Sequence, residues 1–175
     1  GGSGNAVAFL NLLCETFALG LSFEQKFNLI KSVGSDCPFF LYDKPCLIQG
    51  TGDQITPIEI PPLKKLYILA VWPGIHSDTA KAYKDCIPKD TGLSLSECIH
   101  KPLSEWKNFI FNDFEKTVFK EFPELDILKK QMYDSGAVYA SMSGSGSTIY
   151  GLFEKKPNKN FLNFKENYRF YLGQL

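Results

Sequence analysis

Apolar residues early in the chain recur at helical spacing. Ala6, Phe9/Leu10, Leu13 and Phe17 fall at i, i+3/i+4 positions and predict a helix over 5–19. Ser3 or Asn5 is placed to cap it and Gly20 to end it. Ser22-Phe23-Glu24-Gln25 has capping-box form, and Phe23, Phe27 and Ile30 lie on one face of a second helix ending at Gly34. Ser35-Asp36-Cys37-Pro38 predicts another cap, followed by the short apolar turn Phe39-Phe40-Leu41. Segments 46–49 and 54–60 read as strands around Gly50-Thr51-Gly52-Asp53. Pro61-Pro62 breaks both helix and sheet and divides the chain into 1–60 and 61–175. Beyond it, 66–72 is a continuous apolar strand expected at the centre of a sheet. A helix is predicted over 78–86, a loop-rich stretch over 87–104, and two helices over 112–122 and 124–135, parted by Pro123. Strands over 137–142 and 148–154 flank Ser143-Gly144-Ser145-Gly146-Ser147, and a further strand is expected in 168–172. The pattern is that of an α+β fold.

Charge narrows the classes of function. Lys plus Arg and Asp plus Glu are 19 each, so the formal net charge is zero. That balance argues against a nucleic-acid binder, which meets phosphates with a basic surface, and against a polybasic membrane-surface protein. The apolar share of 44% and charged share of 22% are those of a globular chain, not a disordered one. Five cysteines at irregular gaps, none in Cys-x-x-Cys, suggest neither a disulfide framework nor a zinc ribbon. The longest apolar run is broken by Pro73 and Gly74, and no basic, apolar leader opens the chain. A cytoplasmic protein is expected. The first residues, Gly-Gly-Ser-Gly without Met, read either as a cloning scar or as a chain cut inside a glycine-rich loop.

Three segments carry candidate chemistry. Gly1-Gly2-Ser3-Gly4-Asn5 leads into a helix; glycines let a phosphate approach the backbone, and the helix start offers free N–H groups. Asp36, in Gly34-Ser35-Asp36-Cys37-Pro38, is either a simple helix cap or a base that orients a bound alcohol and takes its proton. Ser141-Met142-Ser143-Gly144-Ser145-Gly146-Ser147 is either a flexible hairpin loop or a backbone path shaped to lie against a ligand or a second loop; it holds more Gly and Ser than a hairpin turn needs. His76 and His100 are too few and too far apart for a metal site, so none is expected. A Cys37–His nucleophile is disfavoured because no His is near in sequence. Lys155, Lys156 and Lys159 read as a solvated basic loop.

The order of these motifs, with Trp-Pro-Gly-Ile-His at 72–76 and Asn-Asp-Phe-Glu at 112–115, resembles the GHMP small-molecule kinases. Within that superfamily it closely resembles the members acting on a cytidine-diphosphate-linked methylerythritol in the non-mevalonate route to isoprenoids. The resemblance runs from Gly1 to about Phe153. It implies a remnant of the N-terminal, ribosomal protein S5 domain 2-like domain over 1–60 and a ferredoxin-like C-terminal domain over 61–175. It implies ATP as phosphoryl donor with Mg2+, phosphorylation of the substrate's 2-hydroxyl, and Asp36 as catalytic base. Gly1, Gly2, Ser3 and Asn5 would cradle the ATP phosphates, with Gly4 standing where members often have a second Ser. Ser143, Gly144, Ser145 and Gly146 would help shape that phosphate site. Thr79 and Tyr83 would contact and stack on cytosine, although Tyr83 by spacing alone reads as a core aromatic. Ala80 departs from a proline that some members have. The chain would be a fragment, without the family's earlier lysine and adenine site and inactive by itself; a homodimer is left open. The rival readings are a GHMP kinase for mevalonate, homoserine or a sugar, and a non-catalytic binding module.

Overall fold

The structure, a computed structural model, describes residues 2–60, 63, 65–88, 92–158 and 167–175. The chain separates into two compact units, Gly1–Ile60 and Pro61–Leu175; Pro61 and Pro62 lie outside the described residues.

In the first unit, helix α1 spans Gly2–Thr16, so Gly2, Ser3 and Gly4 form its first turn instead of a loop before it. Its buried stripe also differs from the predicted one. Val7 and Cys14 are buried with Ala6 and Leu10 beside them, while Phe9 and Phe17 are mostly exposed. The helix stops before Gly20 because Ala18 takes the left-handed position, with φ of 50°. Leu19 N–H then donates to Cys14 O at 3.0 Å and Ala18 N–H to Glu15 O at 3.4 Å, the Schellman pattern. Helix α2 (Phe23–Lys31) starts with the predicted capping box. Ser22 Oγ accepts from Gln25 N–H, and Gln25 Oε1 accepts from Ser22 N–H. Lys26 Nζ donates to Asn11 Oδ1 at 3.0 Å and ties α2 to α1. A 3₁₀ turn over Cys37–Leu41 follows, then the hairpin of β1 (Cys46–Gln49) and β2 (Gln54–Pro57).

The second unit is an antiparallel sheet in the order β4-β5-β3-β6. Its strands are β3 (Tyr67–Trp72), β4 (Tyr139–Met142), β5 (Ile149–Phe153) and β6 (Arg169–Gln174). The apolar β3 lies inside it, paired with β5 on one edge and β6 on the other. This is the strand order of a ferredoxin-like sheet. Between β3 and β4 come α3 (Thr79–Asp85), α4 (Leu95–Cys98), α5 (Trp106–Phe109), α6 (Glu115–Glu121) and α7 (Pro123–Asp134). The stretch read as loop-rich thus carries short helices, α4 among them with a Ser94/Glu97 capping box. Pro123 is the first residue of α7, where its missing N–H costs nothing. Leu125, Leu128 and Met132 of α7 bury against Leu69, Val71, Ile149 and Phe153, each at most 2% exposed.

Among the described residues the outer edge of β4 has no strand partner, and side chains take that place. The Tyr133 hydroxyl accepts from Ala140 N–H and donates to Ala140 O, both at 3.1 Å. Glu115 Oε1 accepts from Met142 N–H at 2.7 Å. Residues 140 and 142 are the alternate positions whose backbone groups face outward on an antiparallel edge.

Two predictions test this packing. Ala18→Gly removes the steric cost of a left-handed alanine, about 1 kcal/mol, so it should raise the denaturation midpoint of the first unit; a lower midpoint would refute the assigned helix end. Burial is the main cause that holds the phenols of Tyr133, Tyr139 and Tyr150 above the ordinary tyrosine range. Unfolded phenols ionise near pH ~10 while these stay protonated, so the stabilisation is full below that pH and is lost above it. The urea midpoint of the second unit should fall from pH about 9 to 11, less steeply in Tyr139→Phe. A flat profile would count against the burial.

Candidate functional site

In the first unit three segments converge on Asp36. Ser3, in the first turn of α1, donates from Oγ to Asp36 Oδ2 at 3.0 Å. The Asp36 carboxylate does not cap the 3₁₀ turn that it precedes, so the simple capping role is not the one the fold uses. Cys37 Sγ lies 4.0 Å from Oδ1, too long for more than a weak contact. A Cβ at Gly52, in the β1–β2 turn, would sit 3.8 Å from Ser35 O and 3.9 Å from Asp36 N, which sets that turn beside the Asp36 backbone. Phe40 packs on Gly4, its ring 3.4 Å from where a Cβ would be. Asp36 is exposed, as are Gly2 and Asn5. Ser3, Gly2 and Asn5 share the first turn of α1, whose N–H groups have no partner within the helix. Gly1 lies outside the described residues. The arrangement joins a carboxylate, a hydroxyl and a helix start on one surface.

In the second unit the Ser143–Ser147 loop is tied to the segment before α3. Ser77 Oγ donates to Ser145 O at 2.7 Å, Thr79 Oγ1 and Ser145 Oγ share a hydrogen bond at 3.0 Å, and Ser147 Oγ donates to Ile75 O at 2.5 Å. Asp78 caps α3 by accepting from Lys81 N–H. Gly146 has φ of 96°, and a Cβ there would lie 2.9 Å from Met142 Sδ. On the other flank Asn112 Nδ2 donates to Met142 O and Gly144 O, each at 2.8 Å. The loop is therefore bound from two sides and is not a free hairpin. Thr79 is brought against Ser145. Tyr83, four residues on, is 67% exposed and meets Phe114 edge-on at 4.8 Å, so the core-aromatic reading fails.

Sequence reasoning passed over Ser77, Asn112 and Glu115. Glu115 is the most connected: Oε1 accepts from Met142 N–H and Ser141 Oγ, and Oε2 pairs with Lys129 Nζ at 2.5 Å. The Asn-Asp-Phe-Glu string marked the place without revealing these contacts. The unit also has a cavity of about 580 Å³ with Leu93, Leu95, Cys98 and Phe109 on its apolar wall and Asn112, Glu115 and Lys116 on its polar one. None of the predicted site residues lines it. Among the described residues no group of three His, Cys, Asp or Glu could hold a metal ion.

Comparison with known proteins adds the relatives. Residues 94–168 match the family model described as GHMP kinases C terminal. A 4-diphosphocytidyl-2-C-methyl-D-erythritol kinase of Azobacteroides pseudotrichonymphae is 45% identical over 156 residues, covering 89% of this chain and 58% of that protein. The Bacteroides fragilis protein of the same name is 39% identical over 170 residues, covering 97% and 62%. A crystal structure of 4-(cytidine 5'-diphospho)-2C-methyl-D-erythritol kinase superposes with TM-score 0.73 at 24% identity, over 99% of this chain and 64% of that one. The chain spans roughly three-fifths of the length of these curated relatives.

The Glu115 contacts predict an unequal cost for two charge removals. Glu115→Ala strands the buried Met142 N–H and Lys129 and leaves the Ser141 hydroxyl only its longer contact with Met142 O, and should cost about 3 kcal/mol. Glu121→Ala breaks only the exposed pair with Lys81 and should cost under about 1 kcal/mol. Equal losses in chemical denaturation would refute the ranking.

Proposed function

We propose that this chain, which belongs to the GHMP kinase family, carries the alcohol-activating base and one phosphate-facing loop of an ATP-dependent small-molecule kinase. The substrate is 4-diphosphocytidyl-2-C-methyl-D-erythritol, phosphorylated on its 2-hydroxyl, as the names of its relatives suggest. The single observation that carries this reading is the contact of Ser3 Oγ with Asp36 Oδ2. It sets a carboxylate that caps nothing beside a helix start suited to phosphate. Residues 1–60 are taken as part of the ATP-binding domain and 61–175 as the C-terminal domain.

Each unit by itself carries donors that suit a nucleotide's phosphates. In the first unit Ser3 offers a hydroxyl and the first turn of α1 offers N–H groups; in the second the Ser143–Gly146 loop offers backbone and hydroxyl groups. ATP supplies the phosphoryl group, and Mg2+ supplies charge that neutralises its oxygens. Asp36 Oδ2 is oriented by the Ser3 hydroxyl, which leaves Oδ1 to accept a hydrogen bond and then the proton from the substrate alcohol. Phosphoryl transfer needs little covalent chemistry from the protein, so a placed base and fixed donors suffice. Tyr83 presents an open ring on which a cytosine can stack, and Thr79 lies one turn before it on α3. That open ring favours a base-bearing substrate over mevalonate or homoserine. A cytoplasmic location suits the described cysteines, all free thiols; no helix among the described residues is long and apolar enough to cross a membrane.

The test is ADP release by the complete gene product, offered the cytidylylated methylerythritol, mevalonate or homoserine. Turnover of the first alone is expected, and Asp36→Asn should lower kcat by about 10²- to 10⁴-fold with the fold intact by circular dichroism. Turnover of mevalonate or homoserine instead would move the substrate. Undiminished turnover in Asp36→Asn would remove the base.

A further inference from the structure

Asn112 stands outside every segment assigned above to catalysis or binding, yet its carboxamide is fully used. Its two N–H donors go to Met142 O and Gly144 O, each at 2.8 Å, and its Oδ1 accepts from Phe114 N–H at 3.0 Å. The orientation of the amide is fixed by this set, because the reversed group would put an oxygen against two carbonyls and an N–H against an N–H. The contact at Met142 also completes the side-chain cover of the β4 edge, where Glu115 already takes the N–H of the same residue.

The contact at Gly144 reaches further. Outward-facing positions on this edge alternate at 140 and 142, and Asn112 extends the series to 144, past the end of the strand and into the Gly/Ser loop. In a trans peptide the C=O and the following N–H point in opposite directions. Pinning Gly144 O toward Asn112 therefore turns Ser145 N–H to the opposite side of the loop. Ser143 N–H is already spent on Thr148 O, and Gly146 N–H on Ser143 O. Among the described residues no hydrogen bond is made by the N–H groups of Gly144 and Ser145. Two successive N–H groups without a partner, on a loop whose carbonyls are held elsewhere, can meet an anion without first breaking an internal bond.

We propose that Asn112 is a positioning residue for the phosphate-facing loop: by holding the carbonyls of Met142 and Gly144 it keeps the Gly144 and Ser145 amides presented to a nucleotide phosphate. It does so without touching the ligand. The proposal rests on the kinase reading given above.

Asn112→Asp separates positioning from general stability. It keeps the size of the side chain and the acceptor for Phe114 N–H, but replaces both donors by a carboxylate oxygen that repels the two carbonyls. In the complete gene product the variant should raise KM for ATP at least tenfold and leave KM for the alcohol substrate within twofold. Asn112→Ala should show the same split, less strongly, because it removes the donors without adding repulsion. Equal rises in both KM values, or none, would overturn the proposal. A second readout does not need turnover. Hydrogen exchange measured with MgATP should show protection of the Gly144 and Ser145 amides in the wild type, lost in Asn112→Asp. Failure of the wild type to phosphorylate any substrate would sink the kinase reading alone, provided that this protection is seen. Absence of protection in the wild type would overturn the positioning role, whatever the turnover.

Discussion

The outer edge of β4 is the constraint from which the second unit is built. A strand with one paired side must satisfy its other N–H and C=O groups or lie open to another chain. Tyr133, Glu115 and Asn112 provide those partners from α7, from the start of α6 and from the turn before α6. The consequence is mechanical as well as protective. Helices that pack on one face of the sheet also grip its edge, and that grip continues into the loop after the strand. Removing a methyl group from the core would change packing density, whereas removing one of these partners would change where a loop points.

A Gly/Ser segment has few atoms with which to hold its own shape, and glycine loses more backbone freedom on ordering than other residues do. Both such segments here are shaped by other residues. Gly4 lies under the ring of Phe40, and Ser3 is bonded to Asp36. In the second unit Ser143–Ser147 is gripped by Asn112 on one flank and by Ser77, Thr79 and the Ile75 carbonyl on the other. Thr79 and Ser145 stand in different predicted roles, one toward the substrate and one toward the phosphate, yet their hydroxyls share a single hydrogen bond.

What the sequence revealed depended on whether the signal was local. The Ser22 capping box, the central apolar strand β3 and the start of α7 at Pro123 were legible because each is set by residues within a few positions. The end of α1 was not. Ala18 adopts the left-handed conformation that the sequence led us to assign to Gly20, and nothing local marks an alanine for that role. Gly2–Gly4 read as loop by propensity, but the helix beyond extends through them. The start of α6 was misplaced for a different reason: Asn112 spends its side chain on Phe114 N–H in a turn, so helical geometry begins only at Glu115. Helices of four residues, α4 and α5, are too short to show a period. Of the candidate site residues, Asp36 and the two Gly/Ser segments were visible as motifs. Ser77, Asn112 and Glu115 were not visible as partners, because their contacts cross 68, 30 or 32, and 26 or 27 positions in the chain.

Such long-range holding is what the proposed phosphoryl-transfer role would require. The reaction gains from donors that already stand where charge will develop, since groups that must reorient during the step give up part of their stabilisation. A loop held by its carbonyls can offer its amides in that state, and a loop held by side-chain bulk cannot bring its backbone so close to a phosphate. In the proposed role, glycine and serine at 143–147 would serve closeness, and the rigidity that they lack is supplied by Asn112, Ser77 and Thr79. The same division holds at Asp36, where the carboxylate is exposed while the Ser3 hydroxyl fixes one of its oxygens. In both units the group that would meet substrate is small or exposed, and the group that sets its geometry comes from another part of the chain.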